Sequence, residues 1–473
     1  MDFENRSQST TGNADENAGP DSGIAQAAGE QPGKPTWLRS GVSSALRSLG
    51  HRNYQLFFFG QLISLVGTWI QMIAQFWLVY RLTDSASLLG LVGFSSQIPV
   101  LLLATVGGAV ADRINRHRIL IGTQSASMLL AFILATLTLT SQVTVWHVFV
   151  LSALLGAVNA FDIPARQAFV VELVGRDDLT NAIALNSSMF NGARIIGPAV
   201  AGILVAGIGE GWCFFLNGVS FLAVIAGLLM MTDVQHRRRL QPGSPLAEIV
   251  EGFRFVGHNR PIRALLLLLG LVSLVGMPYT VLMPIFADRI LHGGPSGLGL
   301  LMGASGVGAL IGALRLAARR GTRGLGRKVA LSATGFGIFL VLFALSKSFW
   351  LSAVLLVPLG YFMISEMASS NTLIQSMVPD RLRGRVMAVY SMMFIGMGPF
   401  GALLAGATAD QVGAPLTVAV GGTVCILGAA LFGRRLPDLR KQMHEMIVAV
   451  QTTSGDPPDQ VTDKSPNAMT KGE

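Results

Sequence analysis

Charge is scarce in this sequence. Only 13% of its 473 residues are Asp, Glu, Lys or Arg, against 51% hydrophobic, and the mean hydropathy is +0.54. So few charges cannot cover an aqueous surface, whereas lipid accepts apolar residues on every side of a helix, and a soluble globular chain is excluded. Cysteine is rarer still. Cys213 and Cys425 lie in or near apolar segments, far from each other and from any His ligand set. Both read as small buried hydrophobes rather than as a disulfide or a metal site. Seven histidines are present and none falls deep within an apolar run, which argues against a histidine relay. There is no Gly-rich loop ending in Lys-Ser or Lys-Thr, and no nucleophile–base pair or metal set recurs near one depth. The chain therefore reads as a protein that is not an enzyme, with no cofactor and no metal.

Residues 1–36 are rich in Ser, Gly, Asp, Glu, Asn and Gln and lack an apolar stretch. They read as a disordered cytoplasmic tail, not as a signal peptide. Residues 435–473 read as a second tail. The formal charge of +9 invites a nucleic-acid partner. The Arg residues, however, sit in short loops between apolar runs and not on one solvated face, so they act as topology determinants and no nucleic-acid partner is expected.

What the chain does contain is a duplication. Ser64-Leu65-Val66-Gly67 returns as Ser273-Leu274-Val275-Gly276, 209 residues later. Val174 and Leu179, then Met189-Phe190 and Gly197-Pro198, return as Val378 and Leu382, then Met393-Phe394 and Gly398-Pro399, at separations of 201 to 204. A spanning helix needs about 20 mostly apolar residues. Such runs occur near 55–80, 87–111, 119–140, 145–170, 182–206 and 213–232. The second half supplies 264–287, 297–318, 329–346, 349–376, 386–409 and 415–433, the first of these broken by Pro278 and Pro284. The expected fold is an all-α membrane protein, twelve transmembrane helices in two pseudo-symmetric six-helix bundles about a central path. The bundles occupy 53–232 and 263–434.

Two further segments are amphipathic. In 37–52, Leu38, Val42, Ala45, Leu46 and Leu49 form one apolar face. In the linker 233–262, Ser244 is placed to N-cap a helix with Pro245 at its first position, and Leu246, Ile249, Val250 and Phe253 line one side. Both predict helices lying on the inner leaflet, with Arg side chains meeting anionic headgroups. If the N-terminus is cytoplasmic, the inward loops carry the Arg113–Arg118, Arg237–Arg239, Arg319–Lys328 and Arg381–Arg385 clusters, and the outward loops carry only Arg81, Arg289 and Lys347. That asymmetry predicts two cytoplasmic termini.

The end of the second span reads Gly108-Ala109-Val110-Ala111-Asp112-Arg113-Ile114-Asn115-Arg116-His117-Arg118. Gly108 allows close helix contact, and Asn115 suits a tight turn and tolerates the left-handed conformation. Here the chain resembles the major facilitator superfamily, whose loop between helices 2 and 3 carries Gly-x-x-x-Asp-Arg-x-Gly-Arg-Arg/Lys; Asn115 replaces the second Gly. The resemblance implies that Gly108, Asp112, Arg113 and Arg116 gate the cytoplasmic side, with Asp112 facing the positive end of the helix beginning near Val386. The plainer reading is an interfacial charge cluster. In the second half Gly312 matches Gly108, but Leu316 stands where the acid would be, so no switching role is assigned there.

The fifth span contains Gly192, Gly197-Pro198 and Gly202. Pro removes a backbone donor and bends the helix, and Gly lets a neighbour approach the bend. This is similar to the helix-5 motif of exporting, proton-antiporting branches of the superfamily, with Ala201-Gly202 in place of paired Gly. Ala160-Phe161-Asp162-Ile163-Pro164-Ala165-Arg166-Gln167-Ala168-Phe169, with Asn53-Tyr54-x-Leu56-Phe57 and Gly67-Thr68-Trp69, resembles the branch that contains the enterobactin exporter and macrolide-efflux proteins. That resemblance covers about residues 45–435.

Charges within the spans are few, and each is costly unless paired or hydrated. Asp162 and Arg166 share a helical face, and Arg194 sits near mid-depth in the next span. A static ion-pair network of the three is one reading and a functional role the other. Glu366 lies deep in the tenth span, 204 residues after Asp162, with no base within one turn. The repeat thus puts an acid at the same place in both halves, and because helices 4 and 10 line the central cavity in the superfamily the chain resembles, that resemblance implies that both acids face the path. A carboxyl without a cation keeps its proton until its surroundings open, as a proton carrier must; Glu366 reads as carrier or as bystander. The neutral groups Gln71, Gln75, Asn186, Asn191, Asn371 and Gln375, with Trp69 as a stacking surface, are the candidates for cargo contact, although each type is also common helix–helix glue.

Taken with the resemblance, these residues point to a major facilitator fold. The expected activity is secondary active export of an amphipathic small molecule, siderophore or drug-like, by proton antiport with alternating access. The expected setting is a monomer in the bilayer of a bacterial cytoplasmic (inner) membrane, with protons and the cargo as partners. A lysophospholipid or other lipid cargo, and a non-transporting sensor or scaffold with the same fold, are the alternatives.

Overall fold

The computed structural model describes residues 47–175, 177–232, 245–319 and 321–454. No strand occurs among them, and twelve helices are long and apolar enough to cross a membrane. The first half holds α1 (Arg52–Thr83), α2 (Ala86–Arg113), α3 (Arg116–Leu139), α4 (Val145–Val174), α5 (Leu179–Ile208) and α6 (Glu210–Leu229). The short α7 (Pro245–His258) leads into the second half. That half holds α8 (Arg260–Ile290), α9 (Gly294–Ala317), α10 (Leu325–Leu345), α11 (Phe349–Met377), α12 (Asp380–Val412) and α13 (Ala414–Ser454). The protein is a multi-pass membrane protein of twelve spans, with α7 between the halves.

The span ends follow from local chemistry. Asp84 adopts a left-handed φ of 52° and closes α1, and the Ser85 side chain then accepts from the Leu88 N–H to start α2. Asn115 does not take the left-handed turn expected of it. Its φ is −59°, and its side chain caps α3 by accepting from His117 and Arg118. Two prolines were expected to break α8. At the first the regular helix is indeed interrupted, by a turn at Met277 and Pro278, and π-helical turns at Val272–Gly276 and Phe286–Ile290 carry the chain through the same span. α12 is interrupted between Phe394 and Met397.

At its far end the chain departs from the expected tail at 435, because α13 runs on to Ser454. Leu439 and Met443 are buried there, with Leu436, Met446 and Ile447 packed against the core, an apolar stripe at helical spacing that holds the extension down. Of the expected juxtamembrane helix 37–52, only residues from 47 are described. Arg47–Gly50 is a single 3₁₀ turn, and Arg52 already belongs to α1. Asp178 pins that turn through Arg47 at 2.9 Å and His51 at 2.9 Å. In α7 the cap Ser244 and the side chain of Leu246 lie outside the described residues. Val250 and Phe253 remain exposed, and Glu251 ties α7 to α12 through Arg381 and Arg385.

The two halves meet along two pairs of helices, α2 with α12 and α5 with α9. Small residues make this possible. A Cβ on Gly202 would stand 2.9 Å from the Gly299 Cα, so only glycine lets α5 and α9 touch backbone to backbone. On the other pair, Gly90 of α2 and Gly406 of α12 approach in the same way.

Candidate functional site

The halves are latched at the end away from the basic loops. Tyr80 on α1 donates to Asp288 Oδ2 on α8 at 2.9 Å, and Asp84 pairs with Arg289. Asp410, near the end of α12, accepts from Ser85 Oγ at 3.1 Å, from Ala86 N at 2.7 Å and from Ser87 N at 2.9 Å. A carboxylate of the second half thus satisfies the free N–H groups at the start of α2 and meets the positive end of its dipole.

The basic end is different. The Asp112 side chain is 59% exposed and reaches Arg116 at 3.4 Å. Among the described residues no hydrogen bond or ion pair joins it to the start of α12, so the gate contact expected of it is not formed in this structure. Arg113 is exposed as well. Arg116 is buried, donates to Glu172 Oε1 at 2.6 Å and to the Ala111 carbonyl at 3.0 Å, and so ties the α2–α3 turn to α4. The close helix contact expected at Gly108 falls one residue earlier. Gly107 packs on the Ala160 carbonyl, whereas Gly108 faces open space. In the helix-5 motif Gly197 lies against the Cβ of Trp69 and Gly202 against Gly299, while Gly192 faces open space and brings no neighbour in. Pro198 is buried between them.

Asp162 is fully engaged. Thr123 Oγ1 and Gln124 Nε2 donate to Oδ1 at 2.8 Å each, and Arg166 Nη2 lies 3.1 Å from Oδ2. Arg166 also donates to Gln61 Oε1 at 3.2 Å, so the pair stitches α1, α3 and α4 together. Glu366 is 1% exposed and accepts from Ser370 Oγ at 3.2 Å. Neither acid opens onto the space between the halves, contrary to the expectation from the repeat. Each is turned into its own bundle, Asp162 toward α3 and Glu366 among buried serines.

Arg194 does not join the network predicted for it. Among the described residues no carboxylate lies within ion-pair distance of it. Its guanidinium sits 6.0 Å from the Trp69 ring centroid, and Nη2 lies 3.9 Å from Met363 Sδ on α11, across the boundary between halves. Such a stack contributes roughly 0.5–1 kcal/mol, well below the several kcal/mol that an unpaired charge costs at mid-depth. Trp69 is held in place by Gly197 behind it and by Phe190, whose ring centroid is 6.0 Å away. Ser187, Asn191 and Arg194 follow one another at spacings of four and three along one face of α5, all at least partly exposed.

Most of the other candidate cargo groups are committed elsewhere. Gln71 accepts from Asn217 of α6 at 2.7 Å, and Gln75 donates to Ser152 of α4 at 2.9 Å. Asn186 accepts from the Tyr54 hydroxyl at 3.3 Å, Asn191 bonds back to the Ser187 carbonyl at 2.8 Å, and Gln375 donates to Asn371 at 2.5 Å. Gln71, Gln75 and Asn186 are therefore interhelical ties. Among the described residues no three His, Cys, Asp or Glu side chains are gathered as a metal set.

The profile of a family described as transmembrane secretion effectors, of the major facilitator type, matches residues 43–454. The chain belongs to this family. Among similar proteins, the staphyloferrin A transporter of Staphylococcus aureus is 29% identical over 375 residues, covering 78% of this chain and 93% of its own. The multidrug efflux pump Tap of Mycolicibacterium fortuitum is 29% identical over 398 residues, covering 81% and 96%. Macrolide efflux protein A of Streptococcus pyogenes is 25% identical over 405 residues, covering 80% and 95%. Two solved structures share the fold. The nucleoside transporter NupG superposes with a TM-score of 0.62 at 14% identity, over 84% of this chain and 98% of that one. The peptide transporter PepTSo superposes with a TM-score of 0.64 at 11% identity, over 83% and 99%. This secretion effector is a transporter and not an enzyme.

Sequence reasoning missed the latch of this family member. The offset of 204 that relates Asp162 to Glu366 also relates Asp84 to Asp288, so the repeat itself held the signal for two of its three acids. Glu172, the partner of Arg116, left no comparable mark, because only the packing of α4 against the α2–α3 turn brings it there.

Proposed function

We propose that this transporter exports an amphipathic small molecule, siderophore or drug-like, across the bacterial cytoplasmic membrane by alternating access, with inward proton flow as the driving force. The observation that carries the proposal is the one-sided closure of the halves. Asp84, Asp288 and Asp410 join them at one end, while Asp112 stays exposed at the other. With both termini cytoplasmic, as the Arg asymmetry favours, this is the arrangement that accepts cargo from the cytoplasm. Release then needs the latch to open and the basic end to close, with Asp112 meeting the start of α12 in that second state. The relatives, a staphyloferrin A transporter and two efflux proteins, support cargo of that kind. Glu366, buried and held by one hydroxyl, is the residue assigned to the proton. One chain supplies both halves, so a monomer suffices.

Expression in a bacterial host stripped of its own efflux pumps tests the reading. Accumulation of a radiolabelled macrolide or of an iron-free siderophore should fall, and a protonophore should restore it. Unchanged accumulation of both, or low accumulation that persists with the protonophore, would contradict it.

A further inference from the structure

We propose that Arg194 is an anchor for an anionic group, a carboxylate or its like, on the cargo, and that the cargo's flat apolar part lies on Trp69. The inference rests on the reading of the space between the halves as the transport path. It starts from a mismatch of charge. Among the described residues of the first half, each buried Arg or acid has a partner within 3.4 Å: Arg116 has Glu172, Asp162 has Arg166, Asp178 has Arg47 and Glu210 has Arg81. Arg194 has an aromatic face and a thioether instead. Its own half does not neutralise it, and the groups near it from the other half, Met363 and Tyr279, are a thioether and a phenol whose hydroxyl bonds to Ser305. The nearest acid along α11, Glu366, bonds to Ser370 and lies buried within its own bundle.

The cation is also held ready. Gly197 lets Trp69 sit directly on α5, which fixes the ring beneath the guanidinium. Gly306 of α9 packs against the Arg194 carbonyl, so the backbone is clamped from the second half. A planar guanidinium with free N–H groups takes a carboxylate in a two-point fork, and an aromatic face beside it receives a flat ring. Ser187 and Asn191, on the same face of α5 toward the basic end, line the approach with neutral polar groups. An amphipathic anion gains a contact at this surface that a neutral or cationic cargo does not.

The test uses two probes on the same pyrene-alkyl frame, pyrenebutyrate with an anionic head and pyrenebutanol with a neutral one, bound to the full chain in nanodiscs and corrected for empty nanodiscs. Wild-type protein should bind the butyrate about tenfold more tightly, as expected for one charge-assisted contact. Arg194→Gln should bring the two probes level by weakening the butyrate alone, and Arg194→Lys should retain part of the preference. Thermal stability of Arg194→Gln should be unchanged or higher, because no partner is stranded. Equal binding of both probes by wild type, no binding of the butyrate, or equal weakening of both in Arg194→Gln would overturn the proposal. Labelling of Asn191→Cys by a membrane-impermeant thiol reagent tests the path separately. A reactive cysteine with no butyrate preference sinks the anchor alone, and an unreactive one sinks the path reading.

Discussion

Asp162 and Glu366 occupy matching places in the two halves, 204 residues apart, yet their surroundings are opposite. Three side chains bind the first, two of them by neutral hydrogen bonds and one by an ion pair, whereas a single serine hydroxyl binds the second. The first carboxylate is tied into the packing of three helices, whereas the second, held by a lone hydroxyl, is the one proposed above as the proton carrier.

That difference predicts different phenotypes. Glu366→Gln should abolish export driven by a pH gradient while leaving substrate exchange largely intact, since exchange needs only alternating access. Asp162→Asn should lower thermal stability, by roughly 1–3 kcal/mol, toward the low side of a broken buried pair because Arg166 reaches solvent. Gradient-driven export at full rate by Glu366→Gln would pass the proton to another group.

Asp410→Ala removes three accepted hydrogen bonds from the start of α2 and should release the latch. Cysteines placed near the latch should become more reactive to an impermeant reagent added from outside, severalfold over the parent protein. Unaltered reactivity would mean that the latch does not hold the halves.

At the opposite end the prediction is asymmetric between states. Asp112 is exposed here and its tie to Arg116 is long, so Asp112→Asn should change thermal stability by less than about 0.5 kcal/mol. It should nevertheless slow transport, because its partner on α12 is met only when the basic end closes. An equal transport rate would reduce the residue to an interfacial charge.

Gly202→Val tests the glycine contact. The added side chain would run into Gly299, forcing α5 and α9 apart where the halves close. The protein should insert normally, as measured by membrane yield, and lose transport; full transport would show that the contact is dispensable.

The number and order of the spans were legible because each needs only a long apolar run, and the repeat was legible because it needs only spacing. The Asp162–Arg166 pair was readable for the same reason, being local to one helix. What was not legible depends on how helices rotate against each other. Gln71 and Gln75 share a face by spacing, yet α6 and α4 reach them from different sides. The switch from Gly108 to Gly107 is a matter of about 100° of helix rotation, which α4 decides. Arg194 was placed with Asp162 because both are charged and deep, whereas the position of Trp69, set by Gly197, gives its guanidinium a different neighbour.

Alternating access is the central claim, and the distance between the halves at both ends measures it most directly. Spin labels at Gln142 and Lys347 report the latched end, and labels at Arg118 and Arg323 the basic end, all four sites being exposed. Without a gradient, the pair at the latched end should be close and the pair at the basic end far. When an inward-directed proton gradient is imposed across proteoliposomes, the first distance should lengthen as the second shortens. Two distances that move together, or do not move at all, would contradict the account.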